Sequence, residues 1–172
     1  AQAYRANFKT PSGKYKAATL PPSVVECDVA TSDVYFSGNI LGSVFENTTK
    51  VLTNGTGDYC STAQEDNATL EVLLRSSMRK LTDFSRIIVM RTASDFDRPY
   101  PGVSATYNLF QSSKQGGFLP AIENIYVAGI KVVEGILDGW NTTFAAGIKA
   151  NNYVGDIFGS LGGVPDFGPG PK

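Results

Sequence analysis

The chain has 172 residues, 42% of them hydrophobic and 11% aromatic, which is enough apolar material for one compact core. We therefore predict a single globular unit. Fifteen lysines and arginines against sixteen acidic residues give a net charge of -1, and no basic run is present, so a nucleic-acid partner is not expected. No apolar stretch approaches the ~20 residues that cross a bilayer, so no membrane-spanning segment is predicted.

Histidine is absent from the sequence. This excludes a Ser-His-Asp triad, a Cys-His pair and the usual histidine-bearing zinc sites from this chain's own residues. Any proton transfer falls to carboxylates, tyrosine or lysine. Neither a metal site nor a cofactor is predicted.

Four acceptor motifs for N-glycosylation occur, at Asn47, Asn54, Asn67 and Asn141. Together with an even number of cysteines they favour a secreted or exported protein in which Cys27 and Cys60 pair, with two buried thiols as the alternative. The N-terminal residues lack the charged and apolar regions of a signal peptide, so we expect an export signal to have been removed upstream.

In chain order, residues 1–22 contain one glycine and three prolines and predict one short helix or strand followed by a loop. The runs VVECD over residues 24–28 and VYF over residues 34–36 favour short strands or strand ends, because they are β-branched and aromatic. Residues 40–46 predict one or two turns of helix.

The clearest helical pattern has leucines and a methionine recurring at steps of three and one, and it predicts a helix over residues 63–79. The run IIVM at residues 87–90 is short and wholly apolar, which is typical of a strand buried in a parallel sheet. Pro120 and a following apolar face predict a second helix that ends near Gly139. Residues 155–172 are rich in glycine and proline and predict an ordered loop that frays at its end.

The segment that follows the predicted strand, RTASDFDRP, carries carboxylates, guanidinium groups and hydroxyls. Ligands of open α/β sheets collect beyond the carboxyl ends of the strands, so this segment is the first candidate for a site. Judged by spacing alone, the commoner use of Ser94 and Asp95 is to cap a turn before Pro99.

RTASD resembles the Arg-x-x-Ser-Asp signature of purine nucleoside phosphorylases and methylthioadenosine nucleosidases, in which the aspartate faces N7 of the purine. The resemblance implies that Asp95 is catalytic, since protonation of N7 makes the base a better leaving group. It also implies that Ser94 orients Asp95 and that Arg91 belongs to the substrate-binding residues.

Two further segments match in the same order. ATSDVYF at residues 30–36 is similar to the Ser-Gly-Asp-x-Phe segment of the nucleosidases, which implies that Tyr35 stacks on the base. Phe36 is either a second ring at the site or a plain core residue. AQEDNA is similar to the Val-Glu-Met-Glu helix start, which implies that Asp66 or Glu65 binds the ribose hydroxyls. The alternative is that these acids only interact favourably with the positive end of the helix dipole.

Nearly the whole chain resembles the fungal purine nucleoside permeases, through the stretches SVVECDVATSDVYFSGN, TKVLTNGTGDYCSTAQEDNATLEVLLR, DFSRIIVMRTASDFDRPYPG, IENIYVAGIKVVEGILDGW and NYVGDIFGSLGG. The resemblance implies an α/β fold, a nucleoside-phosphorylase-like three-layer αβα sandwich of which residues 1–172 form the C-terminal part. Residues 1–22 are then a loop-rich lead-in and residues 155–172 a tail. The phosphate-binding loop of that superfamily is not found before residue 24, so we expect the N-terminal half of the same protein as a partner, and a homo-oligomer as a further one.

The expected ligand is a purine nucleoside. The expected function is to bind it and cleave its N-glycosidic bond, by hydrolysis or by phosphorolysis with phosphate as co-substrate. Two alternatives stay open: a non-catalytic protein that captures nucleosides for uptake, and a storage protein on the same fold. The sequence does not decide whether the protein is an enzyme.

Overall fold

The computed structural model describes residues 1–111 and 114–148. The helices are α1 (Gln2–Arg5), α2 (Lys16–Thr19), α3 (Asn39–Leu52), α4 (Asp66–Met78), α5 (Ala105–Phe110) and α6 (Phe118–Asp138), and the strands are β1 (Asp28–Thr31) and β2 (Tyr59–Ala63). Shorter segments are 3-10 helical at Ala6–Phe8 and Phe84–Arg86 and π-helical at Trp140–Phe144. The mixture of helices with a small sheet is consistent with the predicted α/β class.

Strands β1 and β2 form a parallel pair. Ala30 lies opposite Thr62 and Thr31 opposite Ala63. Parallel neighbours cannot be joined by a tight turn, because the chain must return to the same end of the sheet. Helix α3 makes that return, so β1, α3 and β2 are one βαβ unit whose strands end at the same edge.

The predicted strands differ from the observed ones. Strand β1 begins at Asp28, where the predicted strand over residues 24–28 ends, and Val24 is exposed. The predicted strand over residues 34–36 is absent: the chain bends at residues 33–34, where the Ser32 hydroxyl donates to the carbonyl of Val34 and accepts from its N–H. Strand β2 was not predicted, since its sequence YCSTA is largely polar.

The run at residues 87–90 forms no strand and pairs with none in the described part of the chain. Ile88 is 59% exposed and Val89 is 49% exposed. The prediction of a strand buried on both faces is therefore wrong for the described residues. A strand needs a hydrogen-bonding neighbour, and local sequence does not show whether that neighbour is present.

The helix predictions are closer to the structure. Helix α4 begins at Asp66, later than the predicted start at residue 63, because β2 extends to Ala63. Helix α6 confirms the second predicted helix, with Pro120 in its first turn and Gly139 directly after its end. Helix α3 is 14 residues long and not one or two turns. In place of the one helix or strand predicted within residues 1–22, the structure has α1, a 3-10 turn and α2.

Tightly packed aromatic rings form the small core of the described residues. Phe8 and Phe36 are each 4% exposed. Phe8 packs on Phe96, with ring centroids 4.5 Å apart, and Phe36 stacks on Phe45, with centroids 3.8 Å apart. Many other large apolar side chains lie on the surface. The core therefore anchors the segments around β1 and the Asp95 loop without covering the long helix α6.

Helix α6 has 21 residues, yet no helix among the described residues is long and apolar enough to cross a bilayer. The loop predicted over residues 155–172 lies outside the described residues.

Candidate functional site

Polar side chains gather at the edge of the sheet where β1 and β2 both end. The segment after β1 supplies Asp33 and Tyr35, and the segment after β2 supplies Glu65. The loop after residues 87–90 brings Arg91 and Asp95 to the same place, since these two side chains contact residues of the other segments. We call these residues, with Asp66 and Asn67, the strand-end cluster. Its position is where ligands of α/β proteins collect.

Tyr35 and Asp95 are in direct contact within this cluster. The Tyr35 hydroxyl donates a hydrogen bond to Asp95 Oδ2 at 3.4 Å, and the Ser94 hydroxyl donates to Asp95 Oδ1. Partial burial, the negative charge of Asp95 and this hydrogen bond raise the pKa of Tyr35 above its usual value. Tyr35 is still 57% exposed, so the face of its ring is open to a planar ligand while its hydroxyl is held.

Phe36, the neighbouring candidate, lies in the core and not on the exposed surface of the cluster. It is buried and stacked on Phe45 of helix α3, with the ring planes only 2° apart. The structure therefore matches the interpretation of Phe36 as a core residue and not as a ring for ligand stacking. The contact fixes the backbone next to Tyr35.

Asp66, the first residue of α4, is paired with Arg91. Arg91 Nε donates to Asp66 Oδ2 at 2.7 Å, and a second guanidinium nitrogen contacts the other carboxylate oxygen. This bidentate arrangement uses both oxygens of the carboxylate. Asp66 therefore holds the loop that carries Asp95, and its oxygens are less available to ribose hydroxyls than those of Glu65.

Glu65 has an open carboxylate and an unusual backbone. Its side chain is exposed, and within residues 1–111 and 114–148 its carboxylate has no hydrogen-bond or ion-pair partner. Its φ of 74° is in the left-handed region, which non-glycine residues adopt at a cost and which recurs at ligand sites. Of the two acids that the sequence singled out, Glu65 is the one that faces solvent with acceptor oxygens to spare.

Asp33 and Asn67 were not recognised from the sequence as members of the site. Asn67 Nδ2 donates to Asp33 Oδ1 at 3.0 Å, and Asn67 Oδ1 accepts from the Thr31 hydroxyl at 3.2 Å. The Gln64 amide donates to the Asp33 carbonyl at 3.2 Å. These bonds tie the end of β1 to the start of α4. The only sequence signal was that both residues, Asp33 and Asn67, are polar and lie within four positions of the end of a strand.

The loop beyond Asp95 is held by Asp97. The Tyr59 hydroxyl donates to Asp97 Oδ2 at 2.6 Å, and the Gly38 N–H donates to the Asp97 carbonyl at 2.7 Å. Burial, then the hydrogen bond to Asp97, raises the pKa of Tyr59. Asp97 therefore joins β2 and the start of α3 to the Asp95 loop, and its Oδ2 is already bonded to the Tyr59 hydroxyl.

Arg98 is a second connection, to helix α3. Arg98 donates to Glu46 Oε2 at 2.9 Å. That bond, followed by the one from Lys50, lowers the pKa of Glu46. Burial alone would lower the pKa of Arg98, but Glu46 and Asp97 raise it overall. A Cβ at Gly42 would lie 2.6 Å from Arg98 Nε, so a glycine in α3 lets the guanidinium approach.

Buried amides hold the other side of the loop. Gln115 Oε1 accepts from the Phe96 N–H at 2.7 Å, and Gln115 Nε2 donates to the Phe96 carbonyl at 3.2 Å. Asn108, which is 4% exposed, donates to the Ser37 hydroxyl at 2.7 Å. Because buried amides need partners, these residues fix Phe96 beside Asp95. Nothing in their sequence context indicated this role.

The opposite end of the strand pair is closed by a disulfide. Cys27 and Cys60 are bonded, with Cα atoms 5.9 Å apart, which confirms the pairing and not the alternative of two buried thiols. Next to it, the Asp58 N–H donates to Asp28 Oδ2 at 2.7 Å. The two strands are therefore covalently joined at one end and carry the polar cluster at the other.

The predicted glycosylation acceptors lie in different surroundings. Asn47, Asn54 and Asn141 are exposed, whereas Asn67 is half-buried and bonded within the strand-end cluster. A glycan on Asn67 would displace the hydrogen bonds to Asp33 and Thr31.

A groove of about 270 Å³ runs from the Asp66–Arg91 pair between α4 and residues 87–90. Its walls are mainly apolar, formed by Leu70, Leu73, Ile87, Ile88, Val89 and Met90. Within the described ranges, no group of three His, Cys, Asp or Glu side chains is placed to hold a metal ion. The hydroxyl, carboxylate and amide groups of the strand-end cluster are suited to hydrogen bonding, and the exposed ring of Tyr35 is suited to stacking.

The chain is similar over most of its length to two fungal proteins. It is 50% identical over 154 residues to a Candida albicans protein named "Purine nucleoside permease", a match that covers 88% of this chain and 38% of the relative. It is 42% identical over 125 residues to a Schizosaccharomyces pombe protein named "Probable purine nucleoside permease", covering 73% of this chain and 36% of the relative. The matched region thus spans well under half the length of either relative. No solved structure matches the chain.

These relatives contradict the main function that the sequence predicted. Their names describe a transport-type function, and cleavage of an N-glycosidic bond is not supported. The prediction of a phosphorylase or nucleosidase that acts through catalytic Asp95 is therefore corrected. The alternative of nucleoside capture for uptake fits the relatives better.

A sequence model of the family described as "Purine nucleoside permease (NUP)" matches residues 1–149. The match includes every residue of the strand-end cluster and the disulfide. The chain belongs to the purine nucleoside permease family.

Proposed function

We propose that the strand-end cluster is part of a site that binds a purine nucleoside intact and serves its uptake. The observation that carries the proposal is the Tyr35–Asp95 contact, which holds an exposed aromatic ring beside a carboxylate at the edge where both parallel strands end. The names of the relatives indicate the class of ligand.

Each group in the cluster has a role in binding that its chemistry allows. The exposed face of Tyr35 stacks on the purine, which needs only a flat ring. The carboxylate oxygens of Asp95 accept hydrogen bonds, so they bind an N–H on the purine edge. Ser94 fixes Asp95, and the open Glu65 carboxylate accepts from the ribose hydroxyls.

The ion pair between Arg91 and Asp66 has a supporting role. Arg91 and Asp66 neutralise each other next to the site, and so set the position of the Asp95 loop relative to α4. Stacking and hydrogen bonding of this kind require no cofactor.

The larger setting is part of the same proposal. The site belongs to a three-layer αβα sandwich of the nucleoside-phosphorylase kind, with this chain as its C-terminal part. The protein works in an exported or extracellular compartment. The disulfide and the three exposed acceptor asparagines support that compartment, because disulfides persist where the surroundings are oxidising.

Calorimetric titration with adenosine and with inosine tests the role of Asp95. We expect Asp95→Asn to weaken binding by about 10- to 150-fold, because a hydrogen bond to a charged group contributes roughly 1.5–3 kcal/mol. The matched control is Asp138→Asn, an exposed carboxylate at the end of α6, which should leave the affinity unchanged. Equal nucleoside affinity of the two variants would show that Asp95 is not part of the binding site.

A pair of substitutions at Tyr35 separates stacking from hydrogen bonding. Tyr35→Phe keeps the ring and should retain most of the affinity, whereas Tyr35→Ala should lose about 1–3 kcal/mol of binding free energy. Chromatography of the recovered ligand should show intact nucleoside. A wild-type protein that binds neither nucleoside would overturn the proposal.

A further inference from the structure

Helix α6 carries an apolar stripe that faces solvent. Its members, separated by steps of three, four, seven and four residues, are Leu119, Ile122, Tyr126, Val133 and Leu137. This spacing places them on one side of a helix. Their exposed fractions are 75%, 55%, 71%, 49% and 69%. The charged residues Glu123, Lys131 and Glu134 lie on another arc of the helix.

The helix is fixed to the rest of the chain mainly near its ends. At its start Ala121 is buried, and its carbonyl accepts from the Thr92 hydroxyl at 2.9 Å. Just beyond its end, Arg86 lies over the Trp140 ring at 5.6 Å and donates to the Ala145 carbonyl at 2.6 Å. Between these anchors the helix spans about 30 Å. Its orientation is therefore set while its apolar side stays uncovered.

An amphipathic helix normally turns its apolar stripe towards a core. Contiguous exposed apolar surface of this kind marks a contact with another polypeptide. Here the charged arc and the apolar stripe both face solvent, so burial within the described chain does not account for the pattern.

The stripe is one of several uncovered apolar surfaces. Ile40 is 82% exposed and Val51 is 71% exposed on α3, and Val24 before β1 is 89% exposed. Ile88, which is 59% exposed, lies outside the sheet of the described residues. The parallel sheet of the described residues has two strands, whereas parallel sheets are normally larger and covered on both faces.

We infer that a part of the permease polypeptide that lies outside this sequence packs against the α6 stripe. A two-fold contact with a second copy covers one self-complementary patch, but uncovered surfaces are found on α6, α3 and the segments flanking the sheet. A polypeptide that covers several faces must be large, and 38% coverage of the Candida albicans relative leaves more than half of its length unmatched. The inference does not depend on nucleoside binding.

A thiol-labelling experiment tests this occupant directly. Both natural cysteines are in the disulfide, so a cysteine introduced on α6 is the single reactive thiol of this chain, and in the chimera described below any cysteine outside this chain is replaced by serine. Tyr126→Cys reports on the stripe. Lys131→Cys is the matched control, because it lies on the same helix about 140° away around the axis. Each variant is made in this chain alone and in a chimera in which this chain replaces the matched region of the Candida albicans relative.

We expect the maleimide reaction of the Tyr126→Cys variant to be more than tenfold slower in the chimera than in the chain alone, with less than a twofold change for Lys131→Cys. A second reporter, Leu137→Cys, should behave like Tyr126→Cys and guards against a local effect of either substitution.

Equal labelling of Tyr126→Cys in the two proteins would overturn the inference. So would protection in the chain alone that grows with its concentration, since this would identify a second copy as the occupant. A chimera that is insoluble under conditions in which the relative is soluble would also count against it. Nucleoside is absent throughout, so the result is separate from that of the binding experiments.

Discussion

The strand-end cluster and helix α6 differ in how their side chains are satisfied. In the cluster, most polar groups have partners within the described chain, as Asp66 has in Arg91 and Asn67 has in Asp33. On α6, the apolar stripe has no covering layer in the described residues. The polar cluster is thus organised by residues of this chain, whereas the apolar stripe of α6 is not covered by any described residue. Substitutions around the site should therefore cost stability, and those on the stripe should not.

The largest effect is expected from Phe36, the core residue next to Tyr35. Phe36→Ala should lower the free energy of unfolding by about 3–5 kcal/mol, because it removes a buried ring and leaves a cavity against Phe45. Phe110→Ala is the matched control, since that ring is 70% exposed, and it should change little. Urea denaturation gives both values. A small effect at Phe36 would show that the site region is not anchored by its core.

The second-largest loss of stability is expected when the disulfide is removed. Replacing both cysteines by serine should lower the free energy of unfolding by about 3–4 kcal/mol, the chain-entropy value for a loop of this length. The cysteines are 33 residues apart. Dithiothreitol should destabilise the wild type by a similar amount and leave the double variant unaffected. Equal sensitivity of both proteins to the reductant would contradict the assignment of the effect to this bond.

A smaller effect is expected from the Tyr59–Asp97 hydrogen bond. Tyr59→Phe should cost about 1.5–3 kcal/mol, since it leaves a half-buried carboxylate without its donor. Tyr107→Phe, at a tyrosine that is 48% exposed, is the control. The cost should appear in urea denaturation at neutral pH and should be absent from the control.

The pH dependence of that cost has a defined sign. The pKa of Tyr59 is raised in the folded protein. Its contribution to stability is therefore complete below the unfolded value of about 10 and is lost as pH rises above it. The difference between the wild type and Tyr59→Phe should shrink above about pH 10. A difference that stays constant into alkaline solution would show that the hydroxyl does not titrate as the contact requires.

Local pattern predicted the helices of the chain better than its sheet. Helices α4 and α6 have apolar periodicity, so their existence follows from a few turns of sequence. Strand β2 is polar and is defined by its pairing with β1, and residues 87–90 are apolar but have no pairing partner in the described residues. Pairing joins residues distant in sequence, which a local window does not contain.

The same reason limits what the sequence showed of the site. Tyr35, Glu65, Asp66 and Asp95 were found through their order and a family resemblance, and the structure brings their segments together. The choice of Glu65 as the open carboxylate required the contact between Asp66 and Arg91. The supports at Asn108 and Gln115 are ordinary amides whose importance comes only from burial.

The smallest expected effect is on the apolar stripe, and it tests the comparison most directly. In this chain, Tyr126→Gln and Val133→Gln should each change the free energy of unfolding by no more than about 0.5 kcal/mol, because surface substitutions that break no contact are near neutral. Ala121→Gln on the same helix is the control. It should cost about 1–3 kcal/mol, since Ala121 is buried and a longer side chain overpacks the site.

A loss of more than about 1 kcal/mol at Tyr126 or Val133 would mean that the stripe already packs against this chain, and the contrast between the two regions would fail. Neutrality at these positions, together with a cost at Ala121, would instead separate the two sides of one helix. One side stabilises the fold of this chain. The other contributes free energy only when a second apolar surface covers it, because burial is what makes apolar side chains stabilising.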